Sequence, residues 1–201
     1  MRPRRVRLLR ARVAMLTVIA ALMLTIGACG DPPDKEIQQA QGAIDAAKAA
    51  GADLYARDEY TAAQEALRHA NEAVAQRDYR LALNNALDAR ERAQNAAKEA
   101  GDRKAAVRAD AERALTQASA AFAEAQARLK AAETARVPPR VLTDQRRLVS
   151  SVEQSLQKAR AAIQAGDYLG ALETAKAALP QLQAVSRNLE AAMPGPARRR
   201  R

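Results

Sequence analysis

The chain is 201 residues long with a formal net charge of +10, and it carries one cysteine, one histidine, no tryptophan and only 2% aromatic residues. The single cysteine excludes an intramolecular disulfide, and the single histidine, His69, excludes a His–His metal pair. No Gly-rich phosphate loop is present and no carboxylate pair is set apart from the many scattered acids, so no metal, no cofactor and no enzyme activity is expected.

The first 12 residues hold six arginines and no acid, and an uncharged, mostly apolar run follows from Val13 to Ile26. As a helix that run reaches only about 21 Å, short of a hydrocarbon core of roughly 30 Å. It therefore reads as the core of an export signal rather than a mature membrane span. The run ends in Ile26-Gly27-Ala28-Cys29, which resembles the lipobox of bacterial lipoproteins: an aliphatic residue three places before a cysteine, then two small residues. The resemblance implies cleavage between Ala28 and Cys29, lipidation of the Cys29 thiol and a mature N-terminus bearing three acyl chains. Two or more chains hold a protein on a membrane where one does so only marginally. Gly30 stands where an aspartate commonly retains lipoproteins in the inner membrane. In a host with two membranes this implies the periplasmic face of the outer one, although Asp31 lies one place further on.

The charge is concentrated at the ends. Apart from the six N-terminal arginines and the terminal Arg198, Arg199, Arg200 and Arg201, the chain balances 23 basic residues with 23 acidic ones. The signs interleave at helical spacing, as in Arg68/Glu72, Asp88/Arg92 and Glu124/Arg128, the pattern of solvated helix faces. No nucleic-acid partner is expected from so neutral a body.

Beyond the signal the chain is rich in alanine, with glycine and proline as punctuation. Apolar residues recur at spacings of three and four: Ile37, Ala40, Ile44 and Ala47; then Tyr60, Ala63, Leu67, Ala70 and Val74; then Leu83, Ala86, Arg90, Ala93, Ala97 and Ala100. Further seams follow at Leu115, Ala118, Phe122, Ala125, Leu129 and Ala132, at Val149, Val152, Leu156, Ala159 and Ile163, and at Tyr168, Leu172, Ala175, Leu179 and Leu182. Such spacing keeps each seam on one face of a helix, and no strand pattern appears.

The seams repeat. An offset of 89 carries the second seam onto the fifth and Asp78-Tyr79 onto Asp167-Tyr168, while an offset of 85 carries Ile37, Ala40, Ile44 and Ala47 onto Phe122, Ala125, Leu129 and Ala132. The fold class predicted is all-α: an elongated antiparallel helical bundle of two tandem three-helix units, produced by duplication and sharing a long central helix from about Tyr79 to Arg136. Gly101 is its weak point, and a turn at Gly101-Asp102 is the alternative. Asp78 and Asp167 are expected to cap helix N-termini, Gly166 to end a helix in the left-handed conformation, and Pro138-Pro139 to separate two helices. The domain plan is a signal peptide at 1–28, a lipidated linker at 29–35, helical units at 36–100 and 101–193, and a basic tail at 194–201.

The stretch Gly51-Ala52-Asp53-Leu54-Tyr55-Ala56, with Tyr60, Ala63, Leu67, Ala70, Ala73 and Asp78-Tyr79-x-x-Ala82, resembles a family of alanine-rich bacterial envelope lipoproteins. Their helical domain has no known function and is sometimes fused to OmpA-like peptidoglycan-binding domains. The resemblance covers roughly Glu36 to Ala100, with Arg57 where the family often has proline. The Asp-Tyr-x-x-Ala-Leu turn of the second unit also resembles tetratricopeptide helix pairs, without their 34-residue period. His69 and the four tyrosines, Tyr55, Tyr60, Tyr79 and Tyr168, are expected in surface and packing roles. The expectation is a membrane-anchored helical spacer or adaptor with a protein partner or a second copy of itself. The alternative is a module that binds lipopolysaccharide or peptidoglycan through the arginine tail.

Overall fold

The computed structural model describes residues 31–193. The predicted signal peptide, the Ala28-Cys29 processing site and the tail carrying Arg198, Arg199, Arg200 and Arg201 lie outside these residues.

The described chain is an all-α helical bundle. Its helices are α1 (Asp34–Ala49), α2 (Ala52–Tyr55), α3 (Arg57–Ala75), α4 (Tyr79–Thr134), α5 (Pro139–Ala165) and α6 (Tyr168–Ala192). Contacts divide it into two compact units. The first takes the described residues up to Ala49 together with Arg57–Ala96, and the second takes Ala50–Ala56 together with the described residues from Ala97 on. The helix α4 runs through the division without a break, so the turn considered at Gly101 does not form. Gly101 is exposed, and a Cβ placed on it would meet nothing within 4 Å. The units divide between Ala96 and Ala97 rather than at the glycine.

In the first unit α1, α3 and the start of α4 bury Ala40, Ile44 and Ala47 against Tyr60, Ala63, Leu67 and Ala70, with Ala82, Ala86, Ala89, Ala93 and Ala96. In the second unit α4, α5 and α6 enclose a core of Ala118, Ala125, Ala132, Leu142, Val149, Val152, Leu156, Leu182, Val185 and Leu189, among others. The sequence placed the seams of α4 and α6 about one residue away from the deepest line. Leu83, Arg90 and Ala97 are only half-buried while Ala82, Ala89 and Ala96 are fully buried, and Tyr168, Leu172 and Leu179 yield in the same way to Ala171, Ala178 and Val185. The reason is steric. On α4 the buried line holds only methyl groups, and the larger Leu83 flanks it.

Helix ends follow from local chemistry. Asp78 Oδ1 accepts from the Leu81 amide and Asp167 Oδ1 from the Gly170 amide, both at 3.0 Å, so both aspartates cap as expected. The helices before them close by the same pair of bonds. Asp78 N donates to Ala73 O and Arg77 N to Val74 O; Asp167 N donates to Ala162 O and Gly166 N to Ile163 O. A third closure of this kind ends α4, with Val137 N on Ala132 O and Arg136 N on Glu133 O. The long helix therefore stops at Thr134, and Arg136, expected to be its last residue, sits beyond it at φ +56°.

Four described residues have positive φ: Gly51 at 88°, Arg77 at 61°, Arg136 at 56° and Gly166 at 82°. They fall into two pairs related by the offsets that relate the seams, Arg77 with Gly166 by 89 and Gly51 with Arg136 by 85. Each pair has one glycine and one arginine, and the arginine bears the steric cost of the left-handed region. Substituting Arg77→Gly should raise stability by up to about 1 kcal/mol, and Gly166→Ala should lower it by about the same amount. Both are read as shifts in the midpoint of urea unfolding at unchanged slope.

Candidate functional site

His69 lies on the exposed face of α3, its Nδ1 3.3 Å from Glu72 Oε2 and its ring beside the Arg68 guanidinium. Among the described residues no group of three histidine, cysteine, aspartate or glutamate side chains is arranged to hold a metal ion. No described helix is long and apolar enough to cross a membrane. Tyr60 is buried against its own unit, and Tyr79 is half-buried at the start of α4.

The concave surfaces are shallow and open. In the first unit α1 and α3 leave a groove floored by Ile44 and Leu67 and edged by Gln41, Gln64, Arg68 and Glu72. In the second, α4 and α6 frame a smaller one between Arg128, Leu182, Arg187 and Glu190. Neither converges polar atoms on a point where a small reacting molecule would be held.

The polar chemistry of the body lies instead in arginines that reach from helix to helix. Within the first unit Arg92 of α4 lies 3.6 Å from Glu59 of α3, and Arg90 donates to Gln39 of α1 at 2.8 Å. Within the second, Arg128 of α4 joins Glu190 of α6 at 2.8 Å and Arg146 of α5 joins Glu133 of α4 at 2.7 Å. The bonds to Glu124 and then Glu190 hold the Arg128 guanidinium above its ordinary pKa, and the bond to Asp88 does the same for Arg92. These pairs are exposed, and each contributes little energy.

One grouping was not foreseen from sequence. The short helix α2 belongs with the second unit, where Tyr55 is 7% exposed. Its carbonyl, at the C-terminal end of α2, accepts from Arg103 Nη1 at 3.2 Å, and Arg103 is itself paired with Glu99. Nearby the guanidinium of Arg108 stands 5.8 Å over the ring of Tyr168, a cation–π contact. Gly51 at φ +88° lets the chain turn out of α1 into α2, and its position carries no room for more: a Cβ there would lie 3.3 Å from the Tyr55 ring. Residues so far apart in sequence left no periodic signal by which α2 could be assigned to the later helices.

Burial pushes the Tyr55 phenol above its ordinary pKa, and the Asp167 carboxylate and Tyr168 add to the shift. The phenolate is thus disfavoured in the folded state. Stability contributed by the neutral phenol is complete below about pH 10, where the unfolded tyrosine ionises, and is lost as pH rises through the higher folded value. Tyr55→Phe should flatten the loss of stability above about pH 10 while leaving the value at neutral pH within about 1 kcal/mol, measured by urea unfolding across that range.

Comparison with protein-family models, with curated proteins and with solved structures returns no match, so the role of these surfaces rests on the chain's own residues.

Proposed function

We propose that the chain is an exported lipoprotein of a bacterial envelope, anchored by lipid on Cys29, whose helical body is a non-enzymatic spacer or adaptor for a protein partner or a second copy of itself. The observation that carries the reading is the order of features at the N-terminus: six arginines, the apolar run Val13–Ile26, then Ile26-Gly27-Ala28-Cys29. The first helix of the body begins at Asp34, five residues after that cysteine. Fully extended, such a tether spans at most about 18 Å, so an anchored Cys29 keeps the first unit close to the membrane surface. The periplasmic face of the outer membrane is the location the Gly30 position favours. The paired offsets of seams, caps and positive-φ residues support an origin by duplication of a three-helix unit. Solvated, charge-balanced helix faces with shallow grooves fit a protein that presents surface rather than one that encloses a substrate.

A second reading has an observation of its own. The last helix ends at Ala192, and the arginines 198–201 follow within nine residues, so the terminal charges are tied to the end of the second unit. They would bind a phosphate-bearing or acidic envelope polymer.

In-cell crosslinking with mass spectrometry separates the two, comparing the native chain with one lacking Arg198–Arg201. The adaptor reading expects one defined protein, or the chain itself, to be captured equally by both forms and to stay captured at high salt. Capture of wall or lipopolysaccharide material that disappears without the tail would instead support the second reading and reject the first.

A further inference from the structure

We propose that α2 is a strap, fastened by Arg103 onto a stretch of α4, Gly101–Ala106, that buries no side chain; α4 opens first at this stretch, and the strap limits the opening. The proposal stands on the geometry of the second unit and does not depend on the lipoprotein reading.

Helices in folded proteins draw most of their stability from the face they pack rather than from propensity. Along α4 buried residues recur every three to seven places, except between Ala100 and Ala111, where the gap is eleven. Gly101, Asp102, Arg103, Lys104, Ala105 and Ala106 are all exposed, the longest such run among the described residues. An amphipathic helix hides one side, and here no side is hidden. The run also begins on a glycine, which a helix interior disfavours about fivefold against alanine. Arg103 with Glu99 and Arg108 with Glu112 pair along the helix axis, which supports α4 locally without joining it to another element. A bond that does leave the run is the one from Arg103 Nη1 to Tyr55 O, at 3.2 Å.

The strap at the other end of that bond is slight. The helix α2 is a single turn, Ala52–Tyr55, too short to persist by its own hydrogen bonds. Those bonds run from Tyr55 N to Gly51 O and from Ala56 N to Ala52 O, both at 2.9 Å. The turn is held down by the burial of Ala52, Tyr55 and Ala56, and the Tyr55 carbonyl, left without a helical donor at the end of the turn, is satisfied by Arg103. The Tyr55 phenol feels the charge of Asp167 and Tyr168, which sets the strap at the end of the second unit where α5 turns into α6.

Local opening costs least where buried contacts are fewest. Buried residues hold α4 up to Ala100 and again from Ala111 on, so the stretch between them can open without disturbing either set. A seated strap restrains Arg103 near the start of that stretch; lifting it removes the restraint. Opening there lets α4 bend while its buried lengths stay helical.

The test is hydrogen exchange read by mass spectrometry on the full chain and on three variants, Gly101→Ala, Arg103→Ala and Glu99→Gln. Alanine is the best helix former, so Arg103→Ala removes the bond to the strap without lowering helix propensity. Glu99→Gln removes the pair along α4 and leaves the bond to Tyr55. In the native chain the amides of residues 102–108 are expected to exchange about tenfold faster, or more, than those of 89–96 and 114–121. Gly101→Ala should slow them about fivefold. Arg103→Ala should speed the amides of residues 54–56 about fivefold, the effect of losing one hydrogen bond, although Tyr55 lies 48 residues away in sequence. Glu99→Gln should leave residues 54–56 unchanged. Even exchange along α4 would overturn the claim that this stretch opens first. Amides of residues 54–56 that do not respond to Arg103→Ala, or that respond only as much as every other helix does, would overturn the strap.

Discussion

Every residue that α4 buries is an alanine: Ala82, Ala86, Ala89, Ala93, Ala96 and Ala100 in its first half, then Ala111, Ala114, Ala118, Ala125 and Ala132. One helix is thus a common wall of both units while presenting only methyl groups to its neighbours. Methyl contacts let backbones approach at the short end of the 8–10 Å range for packed helices. The same contacts bury little, since each methyl contributes only about 0.8 kcal/mol. The units respond differently to that limit. The largest fully buried side chains, Leu156, Leu182, Leu189, Val152 and Val185, all lie on α5 and α6. The first unit has Ile44, Leu67 and Tyr60 as its largest buried groups and otherwise relies on alanine, which makes its stability more dependent on helix propensity and on anything that packs against it.

With so little shape in the core, register has to be set elsewhere. Capping aspartates and left-handed closures fix where helices begin and end, and arginines of α4 and α5 bridge to acids or amides on adjacent helices within each unit.

The helical class, the bundle and the capping residues were legible because alanine-rich periodicity and Asp, Gly and Pro punctuation act locally. Asp78, Asp167 and Gly166 do what their chemistry dictates wherever they stand. What escaped the sequence was non-local. On α4 the seam read from sequence put Leu83, Arg90 and Ala97 at positions whose deepest places are held by Ala82, Ala89 and Ala96. Arg136 and Arg77 take a conformation that favours glycine, so the left-handed closures at these two positions were not foreseen. The assignment of Tyr55 to the second unit depends on Arg103, 48 residues away.

An account in which the body is a presented surface rather than a reaction vessel depends on where the chain is held. Lipid on Cys29 would place the first unit beside a membrane. The most direct measurement is the intact mass of the protein recovered from the envelope of its host. The account predicts a chain beginning at Cys29 with the mass of a diacylglyceryl group and an N-terminal acyl chain. An unmodified Cys29, or a mature chain that begins elsewhere, would contradict it.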